Sequence, residues 1–375
     1  MSDESNPQAV GDAGEPEPKR RGILGVGSII LGVPLLLWMV TAFIVSRSLK
    51  YPPSLEKGTG HDVLGEHIPI FTRGSVSNIR AATGLEPQRL DCGAVRDDSF
   101  RGRSVPVIGW FFAGSRPEVI VLLPPAGGDE VQIIPYVKFL HAAGYNILAA
   151  YSANNPKYGI TWGLTKRKFA FEIVRELNED GYDKVAAIGI SEGGAAAILA
   201  QSEKPVFKAI VVDSSYANLA QTLLHSPAMA GLNPAFARTV IWEAYWWFGK
   251  NLFNVSPAKA AANLGKCPLL IIQNSGDPLT PVADGEAIRQ AASGPAELWI
   301  TPSKGHADAI FQVPKEYAAH VTAFLDKVFG PAPAVAQAIP SPIPAASPSP
   351  SQHKLRERLK MRHRTTTTKA QAASQ

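Results

Sequence analysis

Serine, aspartate and histidine become a machine for acyl transfer only when a fold lines them up, and three such residues occur here in settings that favour it. Gly189-Ile190-Ser191-Glu192-Gly193 matches G-x-S-x-G, the nucleophile elbow. The apolar run Val185–Ile190 precedes it, and Ala195–Gln201, all good helix formers, follows, so a strand, a sharp turn and a helix are expected. The serine of such a turn sits at a strained backbone angle, and Gly189 and Gly193 leave room where a β-carbon would collide. The helix starting there aims free N–H groups and the positive end of its dipole at the point where an oxyanion forms. An ordinary glycine-rich strand-to-helix turn carries the same five letters, so the elbow needs partners.

Two are found downstream. Leu270–Asp277 reads as a strand running into a turn, which puts Asp277 at the carboxyl edge of a sheet. Leu298–Thr301 is the next strand, followed by Lys304-Gly305-His306. The order Ser191, Asp277, His306 is the one expected for this elbow. His306 would take the proton of Ser191 during attack and return it to the leaving group, while Asp277 holds the imidazole tautomer. Asp213, at the end of the preceding strand, is the rival acid, its other reading being a turn or helix cap. Among the other histidines, His61, His67, His353 and His363 lie outside the core pattern, His141 and His320 fall in surface-type helices, and His225 lies in an insertion. For the oxyanion, the backbone N–H groups of Glu192 and Ala126 are the candidate donors. Pro124 and Pro125, just before Ala126, have no N–H to give. A plain turn before a helix is the competing reading of that segment.

The elements that must hold these residues alternate. Arg89–Val95 and Val105–Phe112 read as strands, then Val119–Leu123 as a strand, Val131–Ala143 as a helix, Tyr145–Tyr151 as a strand and Lys166–Asn178 as a helix. After the elbow come strands at Ala209–Val212, Leu269–Gln273 and Leu298–Thr301, and a closing helix at Glu316–Val328. Continuous Val/Ile/Leu strands alternating with helices predict an α/β fold with a mostly parallel sheet covered on both faces.

Charge and composition bound the rest. The formal charge is +5, yet the residues after Pro331 carry +6, so the remainder is close to −1 and the body does not read as a nucleic-acid binder. The expected organisation is a disordered polar segment over 1–21, an apolar anchor over 22–46, a lead-in over 47–87, a globular domain over 88–330 and a Pro/Ala/Ser-rich then basic tail over 331–375. Uncharged Ile23–Val45 would span about 35 Å as a helix, enough to cross a bilayer, and is longer than the apolar core of a cleaved signal peptide. Lys19-Arg20-Arg21 on one side against Arg47 and Lys50 on the other favour an N-in, single-pass arrangement with the domain outside the cytoplasm. The basic segment His353–Arg364 is either a solvated tail or a contact for an anionic surface.

From about Gln88 to Gly330 the chain resembles an α/β-hydrolase of the serine-aminopeptidase-like and hydrolase-like lipase branch. Gly109-Trp110-Phe111, Thr161-Trp162-Gly163, GISEGG, Ser256-Pro257, CPLLIIQNSGDPLTP and KGHAD follow the family's order. The resemblance implies an eight-stranded sheet with its second strand antiparallel and a helical cap, Ser214–Ala262, inserted after strand six. Two departures stand out: Pro124-Pro125 replaces the family's His-Gly, and Ser152-Ala153-Asn154-Asn155 replaces an arginine-bearing turn. Of the cap aromatics Trp242, Tyr245, Trp246, Trp247 and Phe248, most are expected to pack the cap onto the body and a few to line an apolar pocket. No zinc spacing, phosphate loop or dinucleotide fingerprint appears outside the expected membrane span, so neither metal nor cofactor is implied. Cys92 and Cys267 come from strands expected far apart, so no bridge is predicted. The expected activity is serine-dependent cleavage of an ester, thioester or amide of a small-molecule or lipid acyl substrate. An acyltransferase or a non-catalytic binding member of the fold are the alternatives.

Overall fold

The computed structural model describes residues 21–50, 83–98, 102–126, 134–150, 160–226 and 231–332, with Arg80 and Met229; the side chains of residues 21–31 lie outside that description. The expected disordered start, most of the lead-in, the turn Ser152–Asn155 and the Pro-rich and basic tail also lie outside the described residues.

Apolar runs of five or six residues become strands whose neighbouring side chains go to opposite faces, and here both faces are buried. In β3 (Val119–Leu123), Val119, Val121 and Leu123 enter one core cluster while Ile120 and Leu122 enter the other. The other strands are β1 (Gln88–Arg96), β2 (Ser104–Phe112), β4 (Asn146–Ala150), β5 (Val185–Ile190), β6 (Ile210–Asp213), β7 (Leu269–Asn274) and β8 (Ala296–Thr301). They form one eight-stranded sheet in the order β1-β2-β4-β3-β5-β6-β7-β8. The sheet is mixed: β2 runs antiparallel to both β1 and β4, and the pairings from β4 through β8 are parallel.

Helices cover both faces. After α1 (Arg21–Ser48) come α2 (Ile134–Ala142), α3 (Lys166–Glu179) and α4 (Glu192–Glu203). Phe169, Ile173 and Leu177 of α3 and Ala196, Ala197 and Ala200 of α4 pack on one face of the sheet. Tyr136, Val137 and Leu140 of α2 pack on the other, with Tyr317, Val321, Phe324 and Leu325 of the last helix. Between β6 and β7 the chain inserts α5 (Leu219–His225), α6 (Pro234–Glu243), α7 (Tyr245–Phe248) and α8 (Pro257–Ala261). Beyond β7 follow α9 (Val282–Ala291), α10 (Ala309–Gln312) and α11 (Pro314–Phe329). Cys92 and Cys267 are both free and buried.

Two expectations change. Trp242, Tyr245 and Trp246 are exposed, at 55%, 50% and 50%, rather than packed on the body. The reason is helical spacing: Val240, Ile241, Ala244 and Phe248 share the buried face, which turns 242, 245 and 246 outward. The second concerns the boundary at residue 46. Ala42, Ser46, Leu49 and Lys50 are buried in the body of the protein. Trp247 Nε1 donates to Ser46 Oγ at 2.9 Å, Trp162 Nε1 to Leu49 O at 3.0 Å, and Ile160 N to Lys50 O at 2.8 Å. Lys50 Nζ in turn reaches Trp247 O at 3.0 Å and Asp97 Oδ2 at 3.4 Å. The end of α1 is thus part of the folded domain and not the start of a linker. Among the described residues no helix is long and apolar enough to cross a membrane; the apolar run Ile23–Val45 falls partly on residues whose side chains lie outside that description.

The Lys50–Asp97 pair gives a test of this docking, because a buried cation without its counter-charge is costly. Asp97→Asn should lower stability by about 3 kcal/mol, and Lys50→Met with Asp97→Asn should recover most of the loss. Denaturation of the full chain checks this; equal losses in the single and double variants would show that the pair does not hold the segment.

Candidate active site

The elbow forms because β5 ends against glycines. Ser191 has φ 51° and ψ −113°, a left-handed value rare outside glycine, and α4 starts at the very next residue. A β-carbon on Gly189 would collide with the Gly193 carbonyl, and one on Gly193 with the Leu123 carbonyl at the end of β3. Only glycine lets these three backbones meet, which brings the turn Pro124-Pro125-Ala126 beside the start of α4. The helix begins at Glu192, three residues before the run of good formers. This close approach, and not intrinsic propensity, holds Gly193 and Gly194 in its first turn.

The structure brings Ser191, Asp277 and His306 into one chain of contacts. His306 Nε2 lies 2.8 Å from Ser191 Oγ, and His306 Nδ1 lies 2.8 Å from Asp277 Oδ2. A carboxylate only accepts, so Nδ1 carries the proton and Nε2 faces the serine as acceptor. Asp277 is fixed from its other side: Oδ1 accepts from Leu279 N at 2.8 Å and Thr280 N at 3.0 Å, and Oδ2 from Thr280 Oγ1 at 2.8 Å. The turn after β7 therefore makes a nest for one carboxylate. All three residues follow the carboxyl ends of their strands, the edge where open α/β sheets place ligands. A cleft of about 680 Å³ lies at the other edge, among Lys184, Lys208, Pro268 and Glu297, which precede or open strands, and Lys327 of α11; it holds none of the three.

Asp213 sits elsewhere in the network. Its Oδ2 accepts from Tyr136 OH at 3.0 Å and Tyr317 OH at 2.9 Å, and its Oδ1 from Ser214 Oγ at 2.9 Å. Burial pushes its carboxyl up, against the pull of these hydrogen bonds and of the nearby His306. Ser214 Oγ also accepts from Ala307 N at 3.1 Å, so Asp213 supports the loop that carries His306 through Ser214.

Of the candidate oxyanion donors, Glu192 opens α4, where the first N–H groups have no partner within the helix, and Ala126 lies in the turn after β3. The Glu192 side chain was not singled out in the sequence, yet it is 1% exposed and anchors a buried network. Its Oε2 lies 3.0 Å from Lys166 Nζ, and its Oε1 accepts from Gly163 N at 2.8 Å and from Thr161 Oγ1. In the sequence Thr161-Trp162-Gly163 stands only as part of a resemblance, and Lys166 only as the start of a helix. A glutamate inside an elbow was the one local sign that a buried cation must be near.

The sheet order, the elbow and the loops after β7 and β8 define an α/β-hydrolase-like fold. A model of the prolyl oligopeptidase family matches residues 170–332, less than half of the chain. No curated protein matches it. Among solved structures, the esterase Pf2001 of Pyrococcus furiosus is similar with a TM-score of 0.55 at 20% identity, over 70% of this chain and 98% of that one. A second crystal form of that esterase gives a TM-score of 0.50 at 21% identity, over 69% and 95%. At such identities the likeness shows the fold. The family match, on that fold, supports a serine hydrolase.

A charge at the rim of the site sets a pH test. Asp284, half-buried in the first turn of α9, has its carboxyl pushed up to about 6, chiefly by burial and further by Asp277, against a hydrogen bond from the Ala217 backbone and the charge of His225. The folded chain then holds a proton that the unfolded chain has released, so stability falls as pH rises from about 4 to about 6 and stays lower above. Asp284→Asn should remove that loss, gaining about 1–2 kcal/mol over wild type above pH 6.5 and nothing below pH 4, once solvent access to the group is allowed for. Melting temperatures across pH 3.5–8 check it, and a pH-independent difference would refute the assignment.

Proposed function

We propose that the chain hydrolyses an acyl compound through a covalent acyl-enzyme on Ser191, with His306 as general base and acid and Asp277 as its orienting carboxylate. The observation that carries this is His306 placed 2.8 Å from Ser191 Oγ on one side and 2.8 Å from Asp277 Oδ2 on the other. Nε2 takes the Ser191 proton as Oγ attacks the carbonyl carbon, and the Asp277 carboxylate stabilises the imidazolium that results. The tetrahedral oxyanion accepts from the N–H groups of Ala126 and Glu192. As the intermediate collapses, the leaving group departs with the proton from Nε2. Water then repeats the sequence on the acyl-serine, giving the acid and free Ser191.

An ester of an acyl lipid or small carboxylic acid is the substrate class we favour. The exposed Trp242, Tyr245 and Trp246 on the insertion, read as a cap, support an apolar acyl group, and the fold's likeness to an esterase agrees. The match to a prolyl oligopeptidase family model favours an amide as the second reading. The apolar run Ile23–Val45 is read as a membrane anchor that presents the domain outside the cytoplasm, with the basic tail against an anionic surface.

Ser191→Ala should abolish fluorophosphonate labelling and lower turnover by about 10⁶-fold while the protein still melts cooperatively. Asp277→Asn should cost about 10⁴-fold by presenting the wrong tautomer, and Asp213→Asn far less. Labelling that survives in Ser191→Ala, or a larger loss from Asp213→Asn than from Asp277→Asn, would overturn these roles. Separately, the full chain should stay in the membrane pellet through high-salt and carbonate washes, since a spanning helix is not released by screening charge. Release by either wash would remove the anchor from the proposal.

A further inference from the structure

Lys166 is a buried cation beside the candidate site. It is the first residue of α3, yet its side chain is 1% exposed. Its ammonium donates to Pro124 O at 2.8 Å, to Pro125 O at 2.8 Å and to Glu192 Oε2 at 3.0 Å. An ammonium has three N–H bonds, and here three acceptors use them. Burial pulls the Lys166 pKa down, and the Glu192 carboxylate opposes that.

The three acceptors belong to the two segments that carry the candidate oxyanion donors. Glu192 is itself one donor residue. The carbonyl of Pro125 lies in the same peptide plane as the N–H of Ala126, and no cis peptide bond occurs among the described residues. In a planar trans peptide the C=O and N–H point in opposite directions. Drawing the Pro125 carbonyl to Lys166 therefore turns the Ala126 N–H away from Lys166. The same bond polarises that peptide and strengthens its N–H as a donor. Two prolines in succession have no N–H with which to tie this turn to its neighbours, so their carbonyls are the available handles.

We propose that Lys166 is the positioning residue of the oxyanion hole: it aims the Ala126 N–H and ties that turn to Glu192, the residue that carries the second donor. This rests on the reading of Ser191 as the nucleophile and of Ala126 and Glu192 as the donors. Lys166 does not itself touch the reacting atoms. It acts by holding a peptide plane at fixed angle, an effect realised in the transition state more than in substrate binding.

The test compares the two sides of the ion pair by turnover of a p-nitrophenyl ester and by cooperative melting. Lys166→Met combined with Glu192→Gln removes both charges, so that no buried carboxylate is left unpaired. It should lower kcat by about 10²-fold or more with KM changed only a few-fold, as loss of one oxyanion donor does. Glu192→Gln alone leaves Lys166 on both proline carbonyls and keeps the Glu192 backbone N–H, so its loss of kcat should be at least about tenfold smaller than that of the double variant. A merely structural salt bridge predicts that Glu192→Gln, which strands a buried cation, does as much damage as the double variant or more. If the double variant does not melt cooperatively, Lys166→Gln takes its place; its arm is one bond shorter, and kcat should fall at least about tenfold with KM little changed. Wild-type turnover that is lost in Ser191→Ala but kept within about threefold in the folded Lys166 variant would overturn this inference alone. A wild-type chain that turns over no ester and takes no fluorophosphonate would overturn the hydrolase reading, and this inference with it.

Discussion

The contact on which the site depends is between backbones: the α-carbon of Gly193 against the carbonyl of Leu123, with no room for a side chain between them. It fixes how far α4 can approach the end of β3, and so where the first turn of that helix points. Ser191 is bent to φ 51° on one side of this contact. The turn Pro124–Ala126 is pressed against it on the other. The parallel pairing of β3 with β5, which sets Leu123 opposite Gly189, brings the two strand ends level and makes the approach possible. A candidate nucleophile and its candidate anion donors are thereby placed by sheet register, before any side chain has been chosen to react.

Such packing leaves polar groups behind, and the fold satisfies them with buried charge. Taking Lys166 and Glu192 out of water costs several kcal/mol per ion, which their attraction offsets only if the remaining donors and acceptors are used. They are: Lys166 has three acceptors, and Glu192 has Thr161 and Gly163 as further donors. Asp213 shows the same logic in another place. Two tyrosines and Ser214 supply three hydrogen bonds, and the Ser214 hydroxyl passes the support on to the backbone beside His306. That is why the two carboxylates near His306 differ in kind. Asp277 has an oxygen turned to the ring, whereas both oxygens of Asp213 are engaged by hydroxyls.

What could be read from the residues beforehand follows this division. Ser191, Asp277 and His306 were legible because each sits in a local signature, a strand ending in a small-residue turn, which one stretch of chain displays in full. The sheet was legible for the same reason, its strands being short runs of Val, Ile and Leu between turn residues. Lys166 was not. Its partners lie some forty residues before it and twenty-six after it, and a lysine opening a helix is ordinarily solvated. The start of α4 was misplaced because propensity counts Gly193 and Gly194 as poor helix formers, while the close approach of β3 requires them. The outward turn of Trp242, Tyr245 and Trp246 is not legible from apolar identity, because helical phase sets which of these side chains face the body.

The end of α1 belongs to the same web. Thr161, Trp162 and Gly163 form a short bridge with Glu192 on one side, through Thr161 Oγ1 and Gly163 N. On the other side Ile160 and Trp162 donate to the carbonyls of Lys50 and Leu49. Tyr216 OH donates to Trp162 O at 2.7 Å and ties the bridge to the insertion after β6. Residues 49–50 are therefore joined to the carboxylate beside Ser191 through one peptide segment, with buried partners at each step. A free tether would place no such demand on the chain: it would leave the Lys50 ammonium and the carbonyls of Leu49 and Lys50 to water. Here each has a protein partner, so the segment behaves as a structural strut of the hydrolase domain, continuous with the hydrogen bonds that hold Glu192.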